Sequence, residues 1–140
     1  GSDIVEGQVR KSFVNLRSAG LEGCVTLERA DMLERRAPAP AGVLVANPPY
    51  GVRLSDTAEL EALYPKLGDA LKANWSGWRA YFFTGDPQLP KGVRLKASKR
   101  TPLFNGAIEC RLFEYQMIAG SARKPKPADN AAGQDQRPTD

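Results

Sequence analysis

The spacing of apolar positions divides the chain into alternating strands and helices. Residues 1–4, Gly-Ser-Asp-Ile, read as the end of a strand entering a helix. Val5, Val9, Phe13 and Leu16 then recur at helical spacing, and Gly20 stands at the stop position. Residues 24–27 form a short β-rich run, followed by a turn at Asp31. A loop bearing Pro38 and Pro40 leads into Val43-Leu44-Val45-Ala46, an uninterrupted apolar run that predicts a parallel-sheet strand buried on both faces. Asp56 followed by Glu59 marks a helix start, and Leu60, Leu63, Leu67 and Leu71 supply that helix's apolar face. Pro65 inside the pattern predicts a kink or two abutting helices. Trp75 and Trp78 flank a glycine-bearing turn, and residues 79–84 form another strand. Pro87 and Pro90 leave room for a short helical turn only. Phe104-Asn105-Gly106 predicts a hairpin with strands at about residues 94–102 and 107–117.

This order predicts an α/β fold with a mostly parallel sheet and a C-terminal antiparallel hairpin. From residue 120 onward no large apolar side chain occurs. Residues 120–140 are expected to be a disordered tail or interdomain linker. The 140 residues suit one domain. No apolar run approaches the roughly 20 residues that span a bilayer, and the first residues form no signal peptide. A cytoplasmic protein with no membrane association is expected.

Residue usage narrows the chemistry. There is no histidine, and the two cysteines, Cys24 and Cys110, form no CxxC pair. Histidine-assisted nucleophilic catalysis and most transition-metal sites are thereby excluded, and no metal is expected. What remains is carboxylates, amides, backbone groups or a bound cofactor. The net charge of +4 permits a nucleic-acid partner without requiring one. Arg94, Lys96, Lys99 and Arg100 fall within seven positions, with Arg111 beyond. They form either a cation-guarded edge strand or a phosphate-contacting surface.

The stretch LVANPPYG, residues 44–51, carries the sharpest signal. In an open parallel sheet, ligands bind outside the carboxyl ends of the strands, where Asn47 falls. Its amide offers an acceptor and two donors. Pro48 and Pro49 have fixed φ and no N–H, so their carbonyls are rigidly presented. Tyr50 adds an aromatic face, and Gly51 allows close approach. The group suits a planar ring bearing an exocyclic amine: oxygens accept the amine hydrogens while the ring stacks, as in base-flipping enzymes. The alternative is a rigid strand-to-loop turn or a polyproline-type ligand.

The pattern [ND]-P-P-[YFW] is the motif of amino-group methyltransferases that use S-adenosylmethionine (SAM). GSDI, NPPYGVRL, LYPKLGDALK, GW and KRTPLFNGAIECRLFEY, in that order over residues 1 to about 120, resemble the THUMP-associated ribosomal RNA guanine-N2 methyltransferases. The LFNG-IECRL hairpin points to the bacterial 23S rRNA branch. The resemblance implies a partial Rossmann-like SAM-dependent methyltransferase fold, with residues 1–119 as the C-terminal part of its catalytic domain. The first strand, with its glycine-rich loop, and the N-terminal THUMP region are expected elsewhere in a parent protein. It further implies that Asp3 holds the ribose hydroxyls of SAM, that Asp31 meets its adenine amine, and that Asn47 also touches the cofactor. Asn47, Pro48, Pro49 and Tyr50 form the catalytic motif, and Tyr50, Arg53, Lys99 and Arg100 are candidates for contact with large-subunit rRNA. The isolated chain is expected to bind SAM weakly or not at all, and to be inactive. Adenine-N6 or glutamine-amide methylation, and a non-catalytic RNA-binding module, are the alternative readings.

Overall fold

The computed structural model describes residues 1–49 and 57–118. Strand β1 (Ser2–Asp3) enters helix α1 (Glu6–Ser18), which ends where Gly20 takes φ +68°. Leu21 N–H donates to the Leu16 carbonyl at 2.8 Å and Gly20 N–H to Arg17 at 3.0 Å. This glycine-closed helix end is the one the sequence pattern predicts. The apolar stripe of α1 is not buried, however. Phe13 is 49 % and Val14 57 % exposed, and no residue of the helix is fully covered.

Strand β2 (Glu28–Arg29) pairs in parallel with β1, Ser2 opposite Glu28 and Asp3 opposite Arg29. The strand therefore lies beyond the β-rich run at residues 24–27. Cys24 closes a turn onto the Leu21 carbonyl instead; Gly1, just before β1, donates to the Thr26 carbonyl and accepts the Glu28 N–H, and the ladder with β1 starts at Glu28.

The second sheet has the order β3-β4-β6-β5, formed by Gly42–Ala46, Trp78–Thr84, Ile108–Gln116 and Lys99–Asn105. β3 and β4 are parallel, and β6 runs against both of its neighbours. A two-residue loop at Gly106, φ +62°, closes the hairpin. β5 begins at Lys99 rather than near residue 94, because Arg94 caps helix α3 (Leu89–Val93) with φ +57°.

Helix α2 (Thr57–Asn74) runs unbroken through Pro65, in place of the expected kink or helix pair. Buried side chains on both sides of the proline, Tyr64, Leu67 and Leu71, hold the two halves on one core. That core also contains Leu44, Ala80, Phe82, Phe113 and Tyr115 from the sheet and Leu89 and Val93 from α3. The helices cross closely at glycine. A Cβ at Gly68 would lie 1.9 Å from the Val93 carbonyl oxygen, and one at Gly92 2.6 Å from Tyr64 Cβ.

Only one face of β3 is buried. Leu44 enters the core, while Val43 and Val45 are 61 % and 69 % exposed. The expected burial on both faces fails because no described element covers the second face. Residues 43–46 of β3, Ser2 of β1 and Gly1 before it border one cavity of about 310 Å³, and no described strand fills the space between them. The hydrogen-bonding edges of β1 and β3 on that side are unpaired within the described residues.

Candidate active site at the carboxyl ends of the strands

β1, β2 and β3 each deliver a candidate residue at or just beyond the carboxyl end. Asp3 is exposed, and its Oδ1 accepts the Val5 N–H at 2.8 Å, which turns the chain from β1 into α1. Asp31 stands two residues past β2, where its Oδ1 accepts the Leu33 N–H at 2.9 Å. Because β1 and β2 are parallel and in register, both carboxylates lie at one end of that pair, and each keeps its Oδ2 for a ligand. Hydroxyls and an amine suit those oxygens, so the donor set fits the ribose and adenine parts of SAM. Glycine-rich backbone for the methionine part does not occur at this end of β1 and β2 among the described residues.

Asn47 follows β3 directly and is exposed, and no described residue hydrogen-bonds its side chain. Pro48 is buried and Pro49 exposed. Tyr50 and Arg53 lie outside the described residues, as do Asp56 and the tail at residues 120–140.

Two further side chains converge here. β3 and β4 pair Ala46 with Phe82, so the residues that follow each strand run side by side. Tyr64, from α2, bridges them. Its hydroxyl lies 2.7 Å from Asp86 Oδ2, to which it donates, and 3.4 Å from the Pro49 carbonyl. Asp86 Oδ1 accepts the Gln88 N–H at 2.7 Å, and Asp86 N–H donates to the buried Thr84 hydroxyl at 3.0 Å. Burial, the Asp86 hydrogen bond and its charge, in that order, hold the Tyr64 hydroxyl well above the ordinary phenol range, so it remains a donor. Sequence reading missed Tyr64 and Asp86. Tyr64 lies in the LYPKLGDALK stretch and Asp86 in an Asp-Pro turn, but their meeting across 22 residues leaves no local mark.

Beside this bridge a cavity of about 210 Å³ opens between residues 84–87 and the start of β6, Glu109 to Arg111 with Phe113. Arg111 Nη2 lies 3.2 Å from Glu109 Oε1. Lys99 and Arg100 are not brought to Asn47. They are exposed on β5, three inter-strand steps or roughly 14 Å from β3. The Arg100 guanidinium stands 5.9 Å from the Phe113 ring centre. The hairpin tip carries exposed apolar side chains, Phe104 at 71 % and Ile108 at 55 %.

Comparison with known proteins matches residues 1–114 to the family UPF0020, described as the RMKL-like methyltransferase domain. The chain belongs to this family. Among curated relatives, ribosomal RNA large subunit methyltransferase K/L of Syntrophotalea carbinolica is 40 % identical over 121 residues, 84 % of this chain and 17 % of that protein. The protein of the same name from Shewanella baltica is 39 % identical over 127 residues, 91 % of this chain and 18 % of its own length. The chain thus spans less than a fifth of the curated relatives it matches. Of solved structures, SMU.472, a putative methyltransferase complexed with SAH, superposes with TM-score 0.76 at 30 % identity, covering 83 % of this chain and 30 % of that one. A possible methylase from Clostridium difficile 630 gives 0.77 at 28 % identity, covering 93 % and 32 %. The fold is that of the α/β methyltransferases, a mixed sheet in which β6 is antiparallel. No helix among the described residues is long and apolar enough to cross a membrane, and no described group of three His, Cys, Asp or Glu could hold a metal ion.

Proposed function

We propose that this chain is part of a cytoplasmic SAM-dependent methyltransferase that modifies the exocyclic N2 amine of a guanine in 23S rRNA. Residues 1–119 belong to the C-terminal part of its catalytic domain, and residues 120–140 to a tail or interdomain linker. The observation that carries the reading is the exposed Asn47 amide, held at the end of a core strand by two prolines, in a family whose named relatives methylate large-subunit rRNA. SAM, when bound, supplies an electrophilic methyl group. Asp3 and Asp31 hold its ribose and adenine through their free carboxylate oxygens. The Asn47 side-chain oxygen and the Pro48 carbonyl accept the two amine hydrogens, which turns the nitrogen lone pair toward the methyl group. Catalysis then rests on position and preorganised dipoles. Tyr50 and Arg53 meet the flipped nucleotide, and Lys99 and Arg100 meet RNA further out.

In the complete protein, Asn47→Ala is expected to lower turnover by about 10²-fold or more, with little loss of RNA affinity. Full turnover by that variant refutes the reading. A methylated product other than N2-methylguanine refutes the choice of substrate.

A further inference from the structure

We propose that Asp86 is the residue that selects guanine, by accepting the N1–H of the base whose amine is held at Asn47. The inference rests on the reading above and adds a residue to it. Three observations converge on Asp86. It lines the 210 Å³ cavity beside the strand ends. The Tyr64 hydroxyl donates to its Oδ2 at 2.7 Å and has the Pro49 carbonyl oxygen 3.4 Å away, which sets Asp86 beside the Asn-Pro-Pro segment. Each of its oxygens holds one protein donor, Tyr64 or Gln88, and a carboxylate oxygen accepts two. No described cation pairs with it, whereas Glu109, the other carboxylate of the cavity, is paired with Arg111.

The edge chemistry decides the ligand. Guanine places a donor, N1–H, next to its amine, and an acceptor, O6, beyond that. Adenine places a lone pair next to its amine, and cytosine does the same. With the amine in the clamp, a carboxylate at the neighbouring position attracts guanine and repels the other two. Arg111 lines the opposite wall, and Glu109 accounts for one of its five donors, so it is available to O6. A mismatched edge would place a lone pair against the half-buried Asp86 carboxylate and leave these groups without the base's donors.

The test uses the complete protein and unmodified large-subunit rRNA transcripts in which 2-aminopurine replaces part of the guanine. 2-Aminopurine keeps the amine but carries a lone pair at N1. Nucleoside mass spectrometry compares methylated 2-aminopurine with N2-methylguanine at the modified position. The wild-type protein is expected to prefer guanine by at least about 10²-fold. Asp86→Asn, which can donate to that lone pair, is expected to narrow the preference below about ten-fold while SAM affinity stays unchanged. Equal methylation of the two bases by the wild-type protein overturns the proposal, whether or not the variant folds. An Asn variant that keeps the full preference overturns it too. Absence of N2-methylguanine from the wild-type product instead refutes the methylation reading itself.

Discussion

Gly68→Ala is the substitution whose effect is most directly fixed by geometry. The added Cβ would sit 1.9 Å from the Val93 carbonyl oxygen, where real Cβ contacts start at 3.0 Å. The obstacle is backbone, so no side-chain rotation relieves it, and α2 and α3 must separate by about 1 Å. Leu89 and Val93 on α3 are fully buried, and both shift with it. Overpacking of this kind costs about 1–3 kcal/mol, and partial exposure of two core residues adds about 1 kcal/mol or more. Against this, alanine gains up to about 1 kcal/mol over glycine in a helix. The clash prevails, leaving a net loss of about 1–3 kcal/mol. Urea unfolding, followed by tryptophan fluorescence, is expected to show a lower midpoint at unchanged slope. In the complete protein, methyl transfer should fall as well, because Asp86 leads into α3, while SAM affinity holds because Asp3 and Asp31 belong to the other sheet. A midpoint equal to or above the wild type would refute the reasoning, since helix propensity would then outweigh the crossing.

Phe82→Ala removes a fully buried ring that meets Tyr115 edge-on at 5.7 Å, and should cost about 3–5 kcal/mol by the same unfolding assay. Tyr64→Phe deletes the donor to Asp86, which should cost about 1.5–3 kcal/mol; calorimetry should show SAM affinity unchanged while kcat falls. Burial raises the Tyr64 hydroxyl above its ordinary value and pushes Tyr115 up to about 12. Both tyrosines therefore keep their protons in the folded state above pH 10, where the unfolded chain loses them. Their contribution is complete below about pH 9 and declines as pH rises above about 10, and replacing Tyr64 by Phe should flatten that decline.

Elements that pack on their own periodicity were legible. The Leu60-to-Leu71 stripe and the strand at residues 79–84 stand where the pattern puts them, and the hairpin forms around Gly106 with its first strand shifted to Lys99–Asn105. What periodicity could not show is what an element packs against. Val43 and Val45 read as core because continuous apolar strands are normally covered twice, yet the described chain covers them once. The β-rich residues 24–27 lost their strand to a turn because pairing with a two-residue β1 decides the position of β2. Pro65 lost its kink to tertiary burial on either side. The rim residues divide the same way. Asn47 could be singled out as a candidate because its signal is contiguous with its strand. Tyr64 and Asp86 act through a bond spanning 22 residues and carry no contiguous signal.

A buried indole and two unpaired strand edges border one gap beside β3. A buried indole N–H left unmade costs about 1–3 kcal/mol, and Trp75 Nε1 has no partner among the described residues. Trp75 lines the same cavity as the unpaired edges of β1 and β3. A strand placed there needs two inter-strand spacings, roughly 9.6 Å, and would run parallel to both neighbours. It would pair both edges, and it would also carry a loop to the carboxyl end between Asp3 and Asn47. In the proposed enzyme that is where the methionine part of SAM needs backbone. Tyr64 belongs to the core shared by the β3–β6 sheet and its helices. On the proposed reading, Asp3 and Asp31 stand at the ends of the β1–β2 pair and Asn47 and Asp86 at the ends of β3 and β4, so substitutions at the first pair should act on SAM affinity and those at the second on methyl transfer.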